Sequence, residues 1–342
     1  MKSADKTAII AAIIVGTAVV LGVPLISDTA ELFNLTVYIV MSVLALSLAL
    51  VWGCGGILCF GQAAFFGIGA YTYAIAVINI GDSTLPIVLA VTVPALFAAV
   101  LGYFMFYARL ADVYLGVITM VVTLIFFGLI RSTAGPEYRI GTALLGGYNG
   151  LPAVPPINWP GDPTWYLEIP GMFRLSTVTL LLAYVAIKLL LRTRFGRVIV
   201  AIRENETRAE LLGYDTRLYK VAVFTLGAGL AGLAGCLYAN WGGYVSPDVF
   251  SLSTTAQVIM WVIVGGIGTL VGPVVGCFLL QMLLASLGTQ QMFNNYLVLG
   301  TSLLVFVLLV PRGILPVLMR IGRQLVEVVR WPQAQSARDV RP

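Results

Sequence analysis

Runs of about twenty apolar residues recur along the whole of this 342-residue chain, and they leave few folds open. Each run is long enough to cross a hydrocarbon layer roughly 30 Å thick as a helix. Strands of membrane barrels alternate polar and apolar residues instead of forming continuous apolar runs. Hydrophobic residues make up 59% of the sequence and charged residues only 10%, which excludes an ordinary soluble globule. The sequence therefore predicts an all-α integral membrane protein.

The apolar runs predict about ten transmembrane helices, and almost the whole chain belongs to the membrane domain. The first run follows Lys2 and Lys6, is longer than the apolar part of a secretory signal, and lacks a small-x-small cleavage site. We therefore expect a retained first span, with a cleaved signal peptide as the alternative. Residues 1–310 form the predicted membrane domain and residues 311–342 a basic tail. The predicted spans are 7–25, 32–52, 57–80, 85–107, 113–130, 172–191, 218–238, 254–270, 274–287 and 296–310.

Basic residues decide the predicted orientation, because loops that stay in the cytoplasm are enriched in lysine and arginine. With the N-terminus inside and ten spans, seventeen of the twenty basic residues face the cytoplasm, and the exceptions are Arg131, Arg139 and Arg174. Both termini are then cytoplasmic, residues 132–171 form a long outer loop, and residues 192–217 form an inner loop. Because the basic residues cluster between spans, the pattern does not indicate nucleic-acid binding.

The sequence contains no histidine and none of the glycine-based motifs that hold phosphates or nucleophiles. A Ser-His-Asp site, a GxxxxGK[ST] loop and a GxSxG elbow are excluded, so we expect neither an enzyme nor an ATPase. The four cysteines lie in apolar context without metal-ligand spacing, so we expect buried thiols and no cofactor or metal. The spans are nearly free of ionisable residues, which indicates that a partner supplies the energy for any transport.

Uncharged polar side chains are the remaining candidates for solute contact inside the spans. A buried amide or hydroxyl is costly without a hydrogen-bond partner, so each such residue needs a role. The two roles that we consider are lining a solute path and hydrogen bonding between helices. The candidates are Gln62, Thr119, Thr123 and Gln257.

Glycines are frequent in the late spans, around Ile267 above all. Small residues let helix backbones approach closely in lipid, and this helix-packing role is one expectation. The other is a helix break that exposes backbone carbonyls, as in discontinuous transporter helices. The glycines concerned are Gly265, Gly266, Gly268 and Gly272.

Two glycine-rich segments, one in each half of the chain, resemble each other weakly. They are "GQAAFFGIGAY" at 61–71 and "GLAGLAGCLYA" at 229–239. Internal repeats are common in transporters. The likeness hints at two related halves.

A charged block, "RTRFGRVIVAIRENETRAELLGYDTRLYK" at 192–220, interrupts the apolar sequence with seven basic and four acidic residues. A short amphipathic helix is predicted over 201–212, with Gly213 ending it. Such a helix can rest on lipid headgroups or lie in a groove of a cytosolic partner, and the mixed charge favours the partner. The predicted apolar face consists of Val198, Ile202, Ala209 and Leu212.

Five segments of the chain, taken in order, resemble one family of membrane proteins. This family comprises the permeases of the branched-chain amino acid (LIV-type) ABC importers, and the resemblance covers most of the chain. The segments are "CFGQAAFFGIGAYTYA" at 59–74, "LGGYNGLP" at 145–152, "RFGRVIVAIRENETRAELLGYDTRLYKVAVFTLGAGLAGLAGCLYA" at 194–239, "WVIVGGIGTLVGPVVG" at 261–276 and "VPRGIL" at 310–315.

The resemblance implies a heteromeric importer of the bacterial inner membrane. It would combine two related permeases, two cytosolic ATPase subunits that bind ATP and Mg, and a periplasmic solute-binding protein. The segment "ENETRAELLG" would be the coupling helix, and the loops around Asn149 and Asp248 would face the binding protein. The residues expected to couple this chain to an ATPase are Arg203, Glu204, Asn205, Glu206, Ala209, Leu212 and Gly213.

The resemblance ranks the substrates without fixing one. A branched-chain or other neutral amino acid comes first, and urea or a short amide comes second. Two segments, "VIMWVIVGGIGTL" at 258–270 and "GYDTRLYK" at 213–220, resemble the urea-type members of the family more closely. Those members usually carry an arginine where Ile267 stands in this sequence. A partner-independent solute channel is the third reading.

Overall fold

The computed structural model describes residues 2–159, 162–288, 300, 301 and 313, and most of them are helical. A π-helical turn, Ala49–Cys54, extends the second helix, and two 3-10 turns occupy Gly147–Asn149 and Pro247–Phe250. The α-helices are α1 Lys2–Ile26, α2 Thr29–Leu48, α3 Gln62–Ile80, α4 Thr84–Tyr107, α5 Asp112–Ser132, α6 Ile169–Arg192, α7 Arg194–Glu204, α8 Glu206–Leu211, α9 Thr216–Gly242, α10 Leu252–Gly265 and α11 Val271–Gly288.

Six of the described helices are long and apolar enough to cross a membrane, and they make the chain a multi-pass, all-α membrane protein. These six are α2 with its π-helical turn, α3, α4, α5, α6 and α9. Three shorter apolar stretches are Ile10–Ile26, Leu252–Gly265 and Val271–Ser286. The predicted span 296–310 and the tail 311–342 lie outside the described residues, apart from 300, 301 and 313. The count of ten spans and the side of each terminus therefore stay predictions.

The centre of the molecule is a close packing of α3, α4 and α9. A Cβ added to Gly69 would collide with the backbone of Gly232, and one added to Gly235 would collide with the carbonyl oxygen of Phe66. Backbones approach this closely only where side chains are missing. The two glycine-rich segments that resemble each other in sequence therefore face each other directly, one on α3 and one on α9.

Contacts between loops sort the helix ends into two groups. At one end, the Asn158 side chain bonds to the backbone of Ser83, and a β-bridge joins Leu151 to Val245. At the other end, Arg217 lies over the ring of Tyr107, 5.7 Å from its centroid. Successive helix ends alternate between the two groups, as the predicted topology requires. We call the end with Ser83 the outer end and the end with Tyr107 the inner end.

The segment 132–171, which was predicted to be a long outer loop, includes short strands. It contains two small antiparallel hairpins, β1 Arg139–Ile140 with β2 Ala143–Leu144 and β3 Asn158–Trp159 with β4 Asp162–Tyr166. The side chain of Asn79 fastens the first hairpin, since its amide donates to the carbonyl of Ile140 and accepts from the N–H of Thr142. Hydrogen bonds from a side chain of the neighbouring helix α3 to the hairpin backbone therefore stabilise this short hairpin.

Two predicted spans are shorter than expected because glycines interrupt them. The third was predicted from residue 57, but α3 begins at Gln62 after a non-helical stretch in which Gly56 has a φ of +71°. The eighth was predicted to reach residue 270, but α10 ends at Gly265 because Gly266 has a φ of +116°. Such φ values end a helix, and glycine adopts them without steric cost. Both breaks lie at the inner end.

Candidate functional site

The charged block forms two short helices instead of the single helix predicted over 201–212. Asn205 has extended backbone angles and separates α7 from α8. Its side-chain oxygen accepts a hydrogen bond of 2.9 Å from the N–H of Arg208 and so caps α8. Thr193 caps α7 in the same way through the N–H of Gly196. A side chain that caps a new helix ends the preceding one, which is why the prediction of a continuous helix is wrong.

The break divides the predicted apolar face. Val198, Ile202 and Ala209 are buried together against Tyr219. Leu212 instead points outward and is 71% exposed, because the break at Asn205 turns the end of α8 away from α7. Its placement on the common face was therefore wrong. Ala209 is covered by this chain, whereas the exposed pair Leu211 and Leu212, which we call the leucine tip, is free to contact another molecule.

Polar side chains fasten α8 to the start of α9. Glu206 forms an ion pair with Lys220, with 2.6 Å between Oε2 and Nζ. The carboxylate of Glu210 accepts a hydrogen bond from the hydroxyl of Thr216. Glu204 is exposed and lies 3.7 Å from the guanidinium of Arg203. These contacts connect α8 to the first turns of α9.

Gly213 ends α8 in the left-handed conformation that the sequence predicts. Its φ is +87°, its N–H donates to the carbonyl of Glu210, and the N–H of Tyr214 donates to the carbonyl of Ala209. A Cβ at this position would meet open space. Glycine is needed here for its backbone angles and not for room.

A groove of about 600 Å³ opens between α7, α8 and the first turn of α9. Arg194, Arg197 and Arg208 line it, beside the rings of Tyr214 and Tyr219. Within the part of the chain that the structure describes, no carboxylate lies within ion-pair distance of these three guanidinium groups. The groove, which we call the arginine groove, can therefore accept an anionic group.

Arg203 points into the molecule, although it was predicted to make polar contacts with a partner. Its Nη1 donates to the carbonyl oxygen of Gly53, in the π-helical turn. A Cβ added to Gly268 would lie 3.4 Å from the same guanidinium. The side chain thus joins α7 to the inner ends of two other elements.

The structure brings together three of the four polar residues predicted for a solute path. Gln62 donates to the hydroxyl of Ser47 over 3.0 Å, and Thr119 accepts from the N–H of Phe60 over 3.1 Å. Thr123 lies one turn further along α5 and bonds to the carbonyl of Thr119. All three predicted residues are buried, so their observed contacts are bonds within this chain.

Gln257 lies apart from this group, on α10. Its side chain is half-buried, and no described residue forms a hydrogen bond with it. A polar amide in an apolar helix without such a bond is available for a solute, a water molecule or a partner chain. Among the four predicted residues, Gln257 is therefore the one that the described part of the chain leaves without a hydrogen bond.

The four late glycines form a tight helical hairpin. Gly265 ends α10, Gly266 and Gly268 lie in the turn with positive φ, and Gly272 lies in the first turn of α11. A Cβ on Gly265 would collide with the carbonyl of Gly272. Both roles considered for these glycines, close packing and a helix break, therefore occur in the same hairpin.

The two outer residues predicted to face a binding protein lie on neighbouring, exposed loops. Asn149 is in a 3-10 turn, and its carbonyl accepts a 2.6 Å hydrogen bond from the hydroxyl of Tyr244. Asp248 is in the 3-10 turn that follows, and its carbonyl accepts from the hydroxyl of Thr254. These two turns contact each other. They form one surface at the outer end.

Several functional features were missed at the sequence level. The arginines of the groove carried a visible signal, namely positive charge at positions 194, 197 and 208, but their convergence depends on the break at Asn205. The non-helical stretch 55–61 carried a weaker sequence signal, namely the glycines at both of its ends. Ser47 and Lys220 had no signal beyond their residue type.

Comparison with known proteins gives one family. Residues 30–310 match the family described as branched-chain amino acid transport system, permease component. The chain is 29% identical, over 84% of its length and 70% of the relative's, to the high-affinity branched-chain amino acid transport system permease protein LivM of Escherichia coli K12. It is 25% identical, over 77% and 81%, to the probable branched-chain amino acid transport permease protein LivM of Methanocaldococcus jannaschii.

A relative with a different name also aligns over part of the chain. The inner membrane ABC transporter permease protein YjfF of Escherichia coli K12 is 33% identical over 53% of this chain and 57% of its own length. No solved structure matches. Among the described residues there is also no group of side chains that could hold a metal ion.

Proposed function

This chain belongs to the branched-chain amino acid transport permease family, and we propose that it imports branched-chain or other neutral amino acids with energy from separate ATPase subunits. Like its relatives, it is a transport permease and not an enzyme. The full proposed assembly contains two cytosolic ATPases with ATP and Mg, a second related permease and a periplasmic binding protein. Its proposed location is the bacterial inner membrane, with both termini in the cytosol.

One observation carries the coupling proposal: the charged block presents an ordered, exposed surface at the inner end. The leucine tip protrudes, and the arginine groove lies beside it. An apolar knob next to unneutralised positive charge fits a partner that offers an apolar pocket flanked by carboxylates. Anionic lipid is the alternative partner for this surface. The co-purification experiment distinguishes an ATPase from lipid.

The assignment of individual coupling residues follows from their contacts. Leu212 is proposed to contact the ATPase directly, because it is exposed. Ala209, Asn205 and Gly213 are proposed to shape the surface, through burial, capping and chain reversal. Glu206 is proposed to pass the load to α9 through Lys220.

The outer end is proposed to receive the binding protein. Asn149 and Asp248 lie on one surface, with the exposed ring of Tyr148 beside them and the guanidinium of Arg131 4.5 Å from its centroid. Such a surface combines an aromatic anchor with charged and amide groups, as binding sites for other proteins do.

The proposed solute path runs beside α5 and α10. Gln257 offers an amide that the described residues leave free, and the separate group of Gln62, Thr119 and Thr123 adds further polar side chains. A lining of amides and hydroxyls without charge suits a neutral or zwitterionic solute. The exposed apolar side chains of α4 and α5 are proposed to face lipid or the second permease.

The experiment that tests the function has two steps. The tagged chain is extracted from its native host in mild detergent, and co-purifying proteins are identified by mass spectrometry. A second permease and ATPase subunits are expected. Uptake into vesicles is then measured with labelled leucine, alanine and urea, and ATP-dependent uptake of leucine is expected. A chain that purifies alone after crosslinking would favour the channel, and uptake of urea alone would replace the amino-acid assignment.

Gly213→Pro gives a sharper test of the inner surface. Proline cannot adopt a φ of +87° and removes the N–H that bonds to Glu210, so α8 should lose its end. Gly81→Pro is the matched control at the outer end, where φ is +79° and the N–H bonds to Val77. Both variants should lose thermal stability, but only Gly213→Pro should lose ATP-driven uptake per folded molecule. Equal uptake in the two would remove the coupling assignment.

A further inference from the structure

Two breaks in helical backbone meet at the inner end. The first is the π-helical turn Ala49–Cys54 with the non-helical stretch 55–61, and the second is the turn 266–270 between α10 and α11. A Cβ on Gly53 would lie 3.2 Å from the backbone nitrogen of Gly268, so the two breaks are in direct backbone contact. Breaks of this kind recur at functional sites because they leave polar backbone groups free.

A third segment reaches the same place. Gly313, from the "VPRGIL" motif, is buried with a φ of +82°, and a Cβ on it would collide with the backbone of Gly266. Glycines from three distant parts of the sequence therefore converge on one spot. At this spot the contacts are made by backbone and not by side chains.

The backbone of the first break lacks the bonds that hold a helix together. Among the described residues, no backbone N–H donates to the carbonyl oxygens of residues 55–60. The N–H of Phe60 is held by Thr119, and the N–H of Gly61 by the sulfur of Cys59. The stretch therefore lacks the backbone hydrogen bonds that would hold it as part of a helix.

One side chain clasps both breaks. Arg203 donates to the carbonyl of Gly53, and a Cβ on Gly56 would lie 2.8 Å from Arg203 Cγ. Its guanidinium also lies against Gly268, as described above. The acceptor is a neutral carbonyl and not a carboxylate, so the contact can be released without leaving a buried anion unpaired.

Arg203 belongs to α7, the helix that lines the arginine groove. The far side of the first break leads to Gln62, the first residue of α3, whose amide bonds to Ser47. Displacement of α7 would therefore draw Arg203 away from Gly53, in the break that precedes the polar cluster at the start of α3.

We propose that Arg203 is a positioning residue that latches the two glycine breaks together at the inner end. Movement of α7 withdraws its guanidinium and lets the breaks part, which opens the path on the cytosolic side. This inference rests on the proposed function, because it needs an ATPase that moves α7. It places Arg203 inside the permease's own transmission and not at the ATPase contact.

The test compares Arg203→Ala and Arg203→Lys in the reconstituted complex with its ATPases and binding protein. The readout is the amount of solute imported per ATP hydrolysed. The Arg203→Ala complex should still hydrolyse ATP but import much less solute. The amount of solute imported per ATP should therefore fall roughly tenfold. Arg203→Lys keeps a charge and a donor, so it should recover most of the ratio. Arg109→Ala, an exposed arginine at the inner end outside the charged block, is the control and should match wild type.

Two spin labels add a readout that a purely structural role would not change. They are placed at Thr207 and Ile267, which are exposed, while the four native cysteines are buried. In the wild-type complex the distance between the labels should change when ATP binds, and in Arg203→Ala the label at Ile267 should no longer respond. Gly56→Ala displaces the arginine without removing it and should reproduce this result.

The outcomes separate the latch from the proposed function. If wild-type uptake is driven by ATP but the ratio is unchanged in Arg203→Ala, the latch is wrong and the importer stands. If uptake and hydrolysis fall in proportion, Arg203 only supports the fold and the latch is likewise overturned. If the wild-type complex shows no ATP-driven uptake, the proposed function fails, and the latch fails with it.

Discussion

The two ends of this molecule are held together by different chemistry. At the outer end, loops are joined by short, neutral hydrogen bonds that involve the backbone, as between Asn158 and Ser83 and between Leu151 and Val245. At the inner end, long charged side chains reach across glycine backbone, as Arg203 does to Gly53. Buried neutral bonds resist rearrangement, whereas exposed charged contacts exchange with water readily. We therefore expect the outer end to keep its shape and the inner end to change it.

Burial sharpens the contrast. Asn158 is 3% exposed, and loss of its bonds would strand polar groups away from water. The Arg203 side chain is 36% exposed and that of Glu206 is 44% exposed, so water can replace their partners. A moving surface needs contacts whose loss costs little.

The largest effect on stability is expected from Asn158→Ala. The N–H of Ser83 and the carbonyl of Gly81 would both lose a bond, which should cost about 1–3 kcal/mol of unfolding free energy. The measurement is thermal unfolding in detergent, followed by reaction of the buried thiols of Cys236 and Cys277. Uptake per folded molecule should be unchanged. A larger loss of uptake than of folded protein would contradict a fixed outer end.

Charge reversal in the arginine groove should act on assembly and not on stability. Arg197→Glu should weaken retention of the ATPase about tenfold, or about 1.4 kcal/mol, because it repels the expected carboxylates. The measurement is co-purification over a range of salt concentrations. The wild-type interaction should weaken with salt and that of the variant should depend on salt less. Unchanged retention, or tighter binding of anionic vesicles than of the ATPase, would assign the groove to lipid.

Glu206→Gln tests the connection between α8 and α9. Because the pair with Lys220 is partly exposed, its loss should cost only about 0.5 kcal/mol of stability. Import per ATP should fall more than stability does, since α8 would no longer carry α9 with it. Equal behaviour of variant and wild type in both assays would show that α8 and α9 do not move as one body.

Asn79→Ala should have the smallest effect and serves as the partner of Asn158→Ala. Asn79 bonds to Ile140 and Thr142 at the same end, but it is exposed, so water can replace its bonds. A change within about 0.5 kcal/mol is expected. A cost as large as that of Asn158→Ala would show that burial is not what fixes the outer end.

Hydropathy predicted the membrane fold, and the glycine at position 213 predicted the end of α8. These features can be predicted from the sequence because each depends only on local composition or on one backbone angle. The hairpin fastened by Asn79 was missed, since it depends on a bond between residues 61 positions apart.

The candidate site was predictable only in outline. Asn205 is a residue type that favours helix caps, so the break between α7 and α8 could have been found from sequence. The direction of Arg203 could not, because its acceptor lies 150 positions earlier in the chain. The charged block indicated that Arg203 makes a polar contact. Tertiary packing determined that its partner is the carbonyl of Gly53.

The length of α9 connects the two ends. Its 27 residues make a rod of about 40 Å. Its inner end is tied to α8 by Glu206, and near its outer end Trp241 donates to the carbonyl of Phe33. Just beyond it, Tyr244 bonds to Asn149 on the outer surface. If nucleotide and the binding protein both act through α9, their effects must be reciprocal. Nucleotide should then change the affinity for the binding protein by a certain factor, and the binding protein should change the affinity for nucleotide by the same factor.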